Sequence, residues 1–125
     1  MLFDTDVLIW IHRGNLRAAA LVNATDERYV SVQTVLELIQ GAGSTEHVRA
    51  AKSFLVEFGF SVLPLTENIG HRATVYMEEY ALSGGLRAGD SLIAATAVEN
   101  DLSLSSGNRK HFRPIRELQL KVFKP

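Results

Sequence analysis

The residues in this chain with the most chemistry to offer are its acids. Asp4 and Asp6 bracket Thr5 directly after an apolar opening, and Glu37 stands in Val35-Leu36-Glu37-Leu38-Ile39. Asp90 follows Gly89 at the head of Ser91-Leu92-Ile93-Ala94-Ala95, and Asn108 lies in Ser105-Ser106-Gly107-Asn108-Arg109. Brought together in a desolvating cleft, carboxylates repel one another and some hold their protons. A divalent cation removes that cost. Asp and Glu oxygens with retained water are what Mg²⁺ prefers, and Mn²⁺ suits the same ligands. Such a site activates water and steadies a pentavalent phosphorus, so hydrolysis of a phosphodiester is the reaction it serves best. Thiolates and imidazoles offer no rival set. Cysteine is absent, and His12, His47, His71 and His111 form no pair at a ligand spacing. The first three read as surface or helix-end residues.

Each acid also has an ordinary use. Asp4 suits a helix N-cap or a turn, and Asp6 an exposed first-turn position favoured by the helix dipole. Glu37 fits the outer face of a helix, Asp90 a helix start, and Asn108 a turn. What separates chemistry from architecture is whether the fold brings them to one place.

The elements alternate. Residues 1–4 read as a strand, 7–11 as a short helix broken by Gly14, 16–24 as a helix and 29–32 as a β-branched strand. A helix over 33–39 ends at Gly41 and Gly43. Thr45 is the expected cap of the next helix, with Val48, Ala51, Phe54, Leu55 and Phe58 near helical spacing. A strand over 60–65 follows Gly59. Thr66 caps a helix through Leu82, and Ser83-Gly84-Gly85 breaks it. The stretch 88–100 is apolar over most of its surface and should lie buried against a sheet. Strands over 102–105 and 118–123 complete the order. Strands separated by helices make an α/β fold, with a parallel sheet of about five strands covered on both faces. Ligands in such folds bind beyond the carboxyl ends of the strands, where strand order reverses. Asp4 ends the first strand, Glu37 lies about one turn into the helix after the second, Asp90 is in the first turn of the buried helix and Asn108 follows the fourth strand, so these groups could meet at one end of the sheet.

Composition sets the outer bounds. A chain of 125 residues with 46% hydrophobic content reads as one domain, 1–125, that folds without staples. No apolar run approaches the roughly 18–20 residues needed to span a bilayer. The opening is interrupted by acids and lacks a basic lead, so it reads as a strand rather than a signal peptide. Absence of cysteine fits a reducing, cytoplasmic setting. The net charge of -1 hides an asymmetry: after Asn108 the tail carries six cations and only Glu117 as an acid. A basic edge beside an acidic body suits a polyanion held near a metal.

Four blocks of this sequence resemble the PIN-domain ribonucleases, and within them the VapC-type toxins of toxin–antitoxin pairs. They are Leu2-Phe3-Asp4-Thr5-Asp6-Val7-Leu8-Ile9, Ser31-Val32-Gln33-Thr34-Val35-Leu36-Glu37-Leu38, Gly89-Asp90-Ser91-Leu92-Ile93-Ala94-Ala95-Thr96-Ala97, and Leu104-Ser105-Ser106-Gly107-Asn108-Arg109-Lys110-His111-Phe112. The third is the most specific, and together they cover nearly the whole chain. The resemblance implies a PIN-like three-layer α/β/α sandwich and a Mg²⁺-dependent endoribonuclease, with Mn²⁺ as a substitute. It assigns Asp4, Glu37 and Asp90 to the metal, with Asn108 as a further catalytic residue. Thr5 and Ser106 become hydroxyls that steady the first carboxylate or a water. Arg87, Arg109 and Lys110 become contacts to the RNA backbone. It also implies a cognate antitoxin and a homodimer, for which Trp10, Phe54, Phe58 and Tyr76 would supply surplus aromatic surface. The chain departs at the family's fourth acidic position, which is Asn108 or falls at His111. One negative charge is thereby lost, and one firm metal site with a weak second is expected.

Three other readings compete. A phosphatase of the haloacid dehalogenase type fits Asp4-Thr5-Asp6 but lacks a later Asp pair at a strand end. A response-regulator receiver domain needs an Asp ending the third strand, and residues 60–66 end without one. A catalytically silent PIN-fold module that only grips RNA or a partner would be marked by loss of the acids, and these are present.

Overall fold

Strands of two or three residues alternate with helices along the whole chain in a computed structural model that describes residues 1–125. The order is β1 (Leu2–Phe3), α1 (Thr5–His12), α2 (Leu16–Asn23), β2 (Tyr29–Ser31), α3 (Val32–Gln40), α4 (Thr45–Glu57), β3 (Ser61–Leu63), α5 (Glu67–Gly84), α6 (Ala88–Glu99), β4 (Leu104–Ser106), α7 (Arg109–Phe112) and β5 (Leu120–Val122). The five strands form one sheet in the order β3-β2-β1-β4-β5, every pair parallel. Leu2 pairs with Tyr29 on one side and Leu104 on the other, and Phe3 pairs with Ser105. The chain grows outward from β1 in one direction and then crosses to the other side, so the order reverses between β1 and β4. That is where a cleft opens at the carboxyl end of such a sheet.

Successive side chains of a strand point to opposite faces, and β1 shows the consequence. Leu2 joins the cluster under α5 and α6 with Ile69, Ala73, Tyr76, Ile93 and Phe112. Phe3 joins the cluster on the other face with Val7, Leu8, Val22, Phe54 and Leu55. Both are fully buried, as a central strand of a sandwich requires. The apolar helix expected over 88–100 is α6. Its Ala94, Ala95 and Ala97 are fully buried, and small side chains there let α6 sit close to both α5 and β2. A larger residue in that contact would overpack it, at a cost of about 1–3 kcal/mol.

The helix starts follow short polar side chains. Asn15, Ser31, Ser44 and Thr66 each accept a hydrogen bond from a first-turn N–H of the helix that follows. Ser44, rather than Thr45, therefore caps α4. The strands are shorter than their sequence patterns, because residues such as Leu65 and Leu118 remain apolar outside the ladder. β4 runs to Ser106, one residue beyond its expected end, and α7 is a short helix that the basic tail did not signal. The aromatic residues also depart from expectation. Phe54 and Tyr76 are buried, and Trp10 and Phe58 pack against the core. Phe54 stacks between His12 at 4.8 Å and Phe58 at 4.7 Å. This is core filling, not spare surface.

Candidate active site

The switch point between β1 and β4 gathers the acids. Asp4 follows β1 and caps α1, its Oδ1 accepting from the Thr5 N–H at 2.8 Å. Its Oδ2 accepts from the Ser106 hydroxyl at 2.7 Å, a bond that spans 102 residues of chain to the end of β4. The ordinary capping role and the gathering of acids thus coexist in one side chain. Asp6 lies one helical step on. Its Oδ2 accepts from the Gly107 N–H at 2.8 Å, while its Oδ1 is buried with no hydrogen-bond partner. Gly107 has to be glycine for this, because a Cβ there would stand 2.9 Å from Asp6 Oδ2.

Glu37 reaches the same place from α3. The Thr5 hydroxyl donates to Glu37 Oε1 at 2.7 Å and lies 3.0 Å from the Thr34 hydroxyl. On its far side Glu37 faces the start of α6, where a Cβ on Gly89 would come within 3.3 Å of Glu37 Oε2. Asp90, the next residue, has its Oδ2 3.0 Å from His111 Nδ1. The Asn108 amide nitrogen is 2.9 Å from the same His111 nitrogen, and the Asn108 N–H donates to the Ser106 hydroxyl at 2.9 Å. An unbroken chain of contacts therefore runs Asp4, Ser106, Asn108, His111, Asp90. Arg87, Arg109 and Lys110 are exposed at the rim. Arg87 precedes α6, and its backbone N–H makes a long 3.4 Å contact to Asp90 Oδ2.

Electrostatics follow from this crowding. Burial pushes the Asp4 carboxyl up to about 7, with Asp6 and then Asp90 adding to the rise against the opposing bonds from Ser106 and Thr5. Asp6 is raised too, by burial first and further by Asp90, and its bond from Gly107 opposes this. The only imidazole in reach is that of His111, and no Lys or Arg pairs with either Asp4 or Asp6. No three acid or histidine side chains close around one point as a finished metal cage. The donor set nevertheless suits a hard cation: Asp6 and Asp90 both lie close enough to act on the buried Asp4, one oxygen of Asp6 is buried and orphaned, and no Lys or Arg offsets the crowding.

The sequence-predicted residues Asp4, Glu37, Asp90, Asn108, Thr5 and Ser106 are all brought together. Two more join them. Asp6 is half-buried inside the cluster rather than on an exposed first turn; Gly107, the one residue type that lets its carboxylate approach the backbone, was the available signal. His111 sits against Asp90, and the shortfall of a fourth acid was its only sequence mark. Glu37 also borders a 310 Å³ cavity between α1, α3 and α4, with His12 and His47 on its wall.

Comparison with known proteins places this geometry. Residues 1–117 match the PIN domain. The chain is 38% identical over 123 residues to Ribonuclease VapC10 of Mycobacterium tuberculosis, covering 95% of this chain and 90% of that protein. A toxin–antitoxin complex from Klebsiella pneumoniae contains a chain of the same fold, with a TM-score of 0.78 at 27% identity over 94% of this chain and 93% of that one. VapBC2 from Rickettsia felis, solved bound to a fragment of promoter DNA, shares the fold at a TM-score of 0.79 and 16% identity, covering 98% of each chain. The five-stranded parallel sheet, the acids at its switch point and these likenesses together assign the chain to the PIN-domain family, within its VapC group.

Proposed function

We propose that this chain is a divalent-metal-dependent endoribonuclease and the toxin of a toxin–antitoxin pair, acting as one domain over residues 1–125 in the cytoplasm. The observation that carries the reading is the buried Asp4 carboxylate, held by Ser106 and the Thr5 N–H beside Asp6 and Asp90, with no Lys or Arg paired to Asp4 or Asp6. Such an arrangement is costly as architecture and useful as a metal and phosphate site. The identity to a VapC ribonuclease supports the substrate class, and the toxin–antitoxin complexes among the structural relatives support an antitoxin partner. A homodimer goes with the same group.

Asp4 and Asp90 would hold the ion, Mg²⁺ or in its place Mn²⁺, and Glu37 would bind a second, weaker ion or act through water. When bound, the ion lowers the pKa of a water and polarises the phosphate. The protein's own groups do the rest. Ser106 and the Thr5 N–H fix both oxygens of Asp4, and the Thr5 hydroxyl holds Glu37 toward the cleft. Asn108 orients His111 through the contact of its amide with Nδ1, the ring nitrogen that also meets Asp90. Arg87, Arg109 and Lys110 at the rim meet the RNA backbone. Attack in line on the phosphodiester leaves 3′-hydroxyl and 5′-phosphate ends.

The test is cleavage of end-labelled total cellular RNA by the wild type and by Asp90→Asn, with Mg²⁺ or Mn²⁺ and with EDTA. Discrete fragments that need both the metal and Asp90 are expected. RNA that is bound but uncut under every metal would replace this reading with a silent binding module.

A further inference from the structure

Two arginines of this protein are spent internally. The Arg28 guanidinium donates to the carbonyls of Thr25, Phe58 and Asn23. Arg72 is spent on Glu99 and Glu117. Arg109, Arg113 and Arg116 differ. All three are exposed, and none takes part in an ion pair. Arg109 opens α7, and Arg113 and Arg116 lie in the turns that follow it, yet all three line one hollow. The hollow is about 370 Å³, beside the edge strand β5, and is floored by Ile115, Leu118 and Leu120. The one acid of the tail, Glu117, could have neutralised this stripe. It is turned away instead, held by the Arg72 guanidinium and the Tyr76 hydroxyl. The stripe starts at Arg109, the residue after Asn108, and so leads directly out of the acid cluster.

We infer that Arg113 and Arg116, with Arg109 at its head, form a second RNA-binding subsite that grips the single-stranded backbone on one side of the cut. The inference rests on the ribonuclease reading for its ligand. Three uncompensated guanidiniums around one hollow fit the phosphates of a nucleic-acid backbone. The aliphatic floor between them takes the flat face of a base, in the way a basic groove with an apolar platform binds single strands. The subsite anchors RNA, and the acid cluster cuts it. Arg113 and Arg116 therefore act on substrate affinity and on the choice of cut position.

The experiment measures binding of a fluorescent single-stranded RNA oligonucleotide to the Asp90→Asn protein, in EDTA, across a range of NaCl concentrations. The same measurement is made with Arg113→Ala and Arg116→Ala added together. Each phosphate contact on a single strand contributes about 0.7 to the slope of log K against log salt, so the double change should flatten it by roughly 1.4. Arg49→Ala with Lys52→Ala, on the exposed side of α4, should leave the slope as it was. Melting curves confirm that each variant is folded. A slope unmoved by Arg113→Ala/Arg116→Ala overturns the subsite, as does a variant that loses poly-glutamate binding and keeps RNA, which would assign the stripe to an acidic protein segment. The two readings separate cleanly. Wild type that cleaves RNA while the slope stays fixed removes only the subsite; a stripe-dependent slope in a protein that never cleaves removes only the nuclease.

Discussion

Two charged clusters in this protein are built on opposite principles. Around Arg72, cation and anions are matched: its Nε lies 2.6 Å from Glu99 and its Nη1 2.6 Å from Glu117, and the Tyr76 hydroxyl also donates to Glu117. The Tyr76 bond, with help from Arg72, holds the Glu117 carboxyl below its ordinary value. Around Asp4 the charges are alike, and burial with Asp6 and Asp90 drives the carboxyl up to about 7. The first cluster is complete as it stands and fastens the segment after α7 to α5. The second has no Lys or Arg, and its one basic neighbour, His111, lies on Asp90 and not on Asp4 or Asp6. A fold tolerates such a deficit where a ligand supplies what is missing, so the direction of the pKa shift separates the structural cluster from the functional one.

The strongest way to break the contrast is to remove a like charge. Asp4→Asn keeps an oxygen for the Thr5 N–H and takes away one of the crowded carboxylates. RNA cleavage should fall on the order of 10³-fold or more if Asp4 holds the metal as proposed. Folding stability above neutral pH should not fall with it. Urea denaturation of the variant beside its cleavage rate checks both. A large loss of stability would show that Asp4 serves the fold first and the chemistry second.

The pH profile gives the next effect. Asp4 has a folded pKa near 7, above its unfolded value of 3.8, and Asp6 shifts the same way. Stability from these protonated carboxyls is fully present below the unfolded value and is lost as pH rises through the folded one. Metal-free protein should therefore lose up to a few kcal/mol between about pH 4 and pH 8. Asp4→Asn should flatten most of that fall. Chemical denaturation in EDTA at stepped pH measures it.

Supplying the missing charge should do the reverse. At pH 8, Mg²⁺ or Mn²⁺ at about 100 times its dissociation constant should add about 2.7 kcal/mol, seen as a rise in Tm. Asp90→Asn should blunt the rise. A melting temperature indifferent to either ion would remove the counter-charge argument, whatever the cleavage assay shows.

How far the sequence foretold this site depended on the range of the interactions involved. Asp4 and Asp90 were legible because they flank the start of regular elements with strong local patterns, and Glu37 because it lies about one turn into the helix that follows β2; parallel α/β topology sends these places to one edge. The α6 helix was legible for the same reason, its alanines marking burial. Asp6 was misread as an exposed first-turn acid because its burial comes from Gly107, 101 residues away. His111 stayed unassigned because its partner Asp90 lies in another helix. The aromatic residues were misjudged in the same manner: Phe54 and Tyr76 are core, and spacing alone does not say how deep a helix face sits. Strand lengths were overread because apolar residues continue past the ladder. Local periodicity carries element type; the exact company of a charged side chain is decided by tertiary contacts.

The smallest expected effect tests the matched cluster itself. Glu117→Gln removes one charge from the Arg72 network, yet the amide oxygen still accepts from Tyr76, and Arg72 keeps Glu99. Half of the Glu117 side chain is exposed, so solvent screens what the pair contributes. The loss should be about 1 kcal/mol or less, a fall of a few degrees in Tm. Its pH signature should be opposite in sign to that of Asp4. Glu117 has a lowered folded pKa, so its contribution is present above the unfolded value and fades as pH drops. Glu117→Gln should therefore flatten the acid limb of the stability profile and leave the limb between pH 5 and pH 8 to the acid cluster. The Tm response to Mg²⁺ and the rate of RNA cleavage should stay at wild-type levels. A changed metal response would mean that the two clusters are coupled through α5 and α6. In that case a balanced network at one place would be helping to hold the unbalanced one at the other.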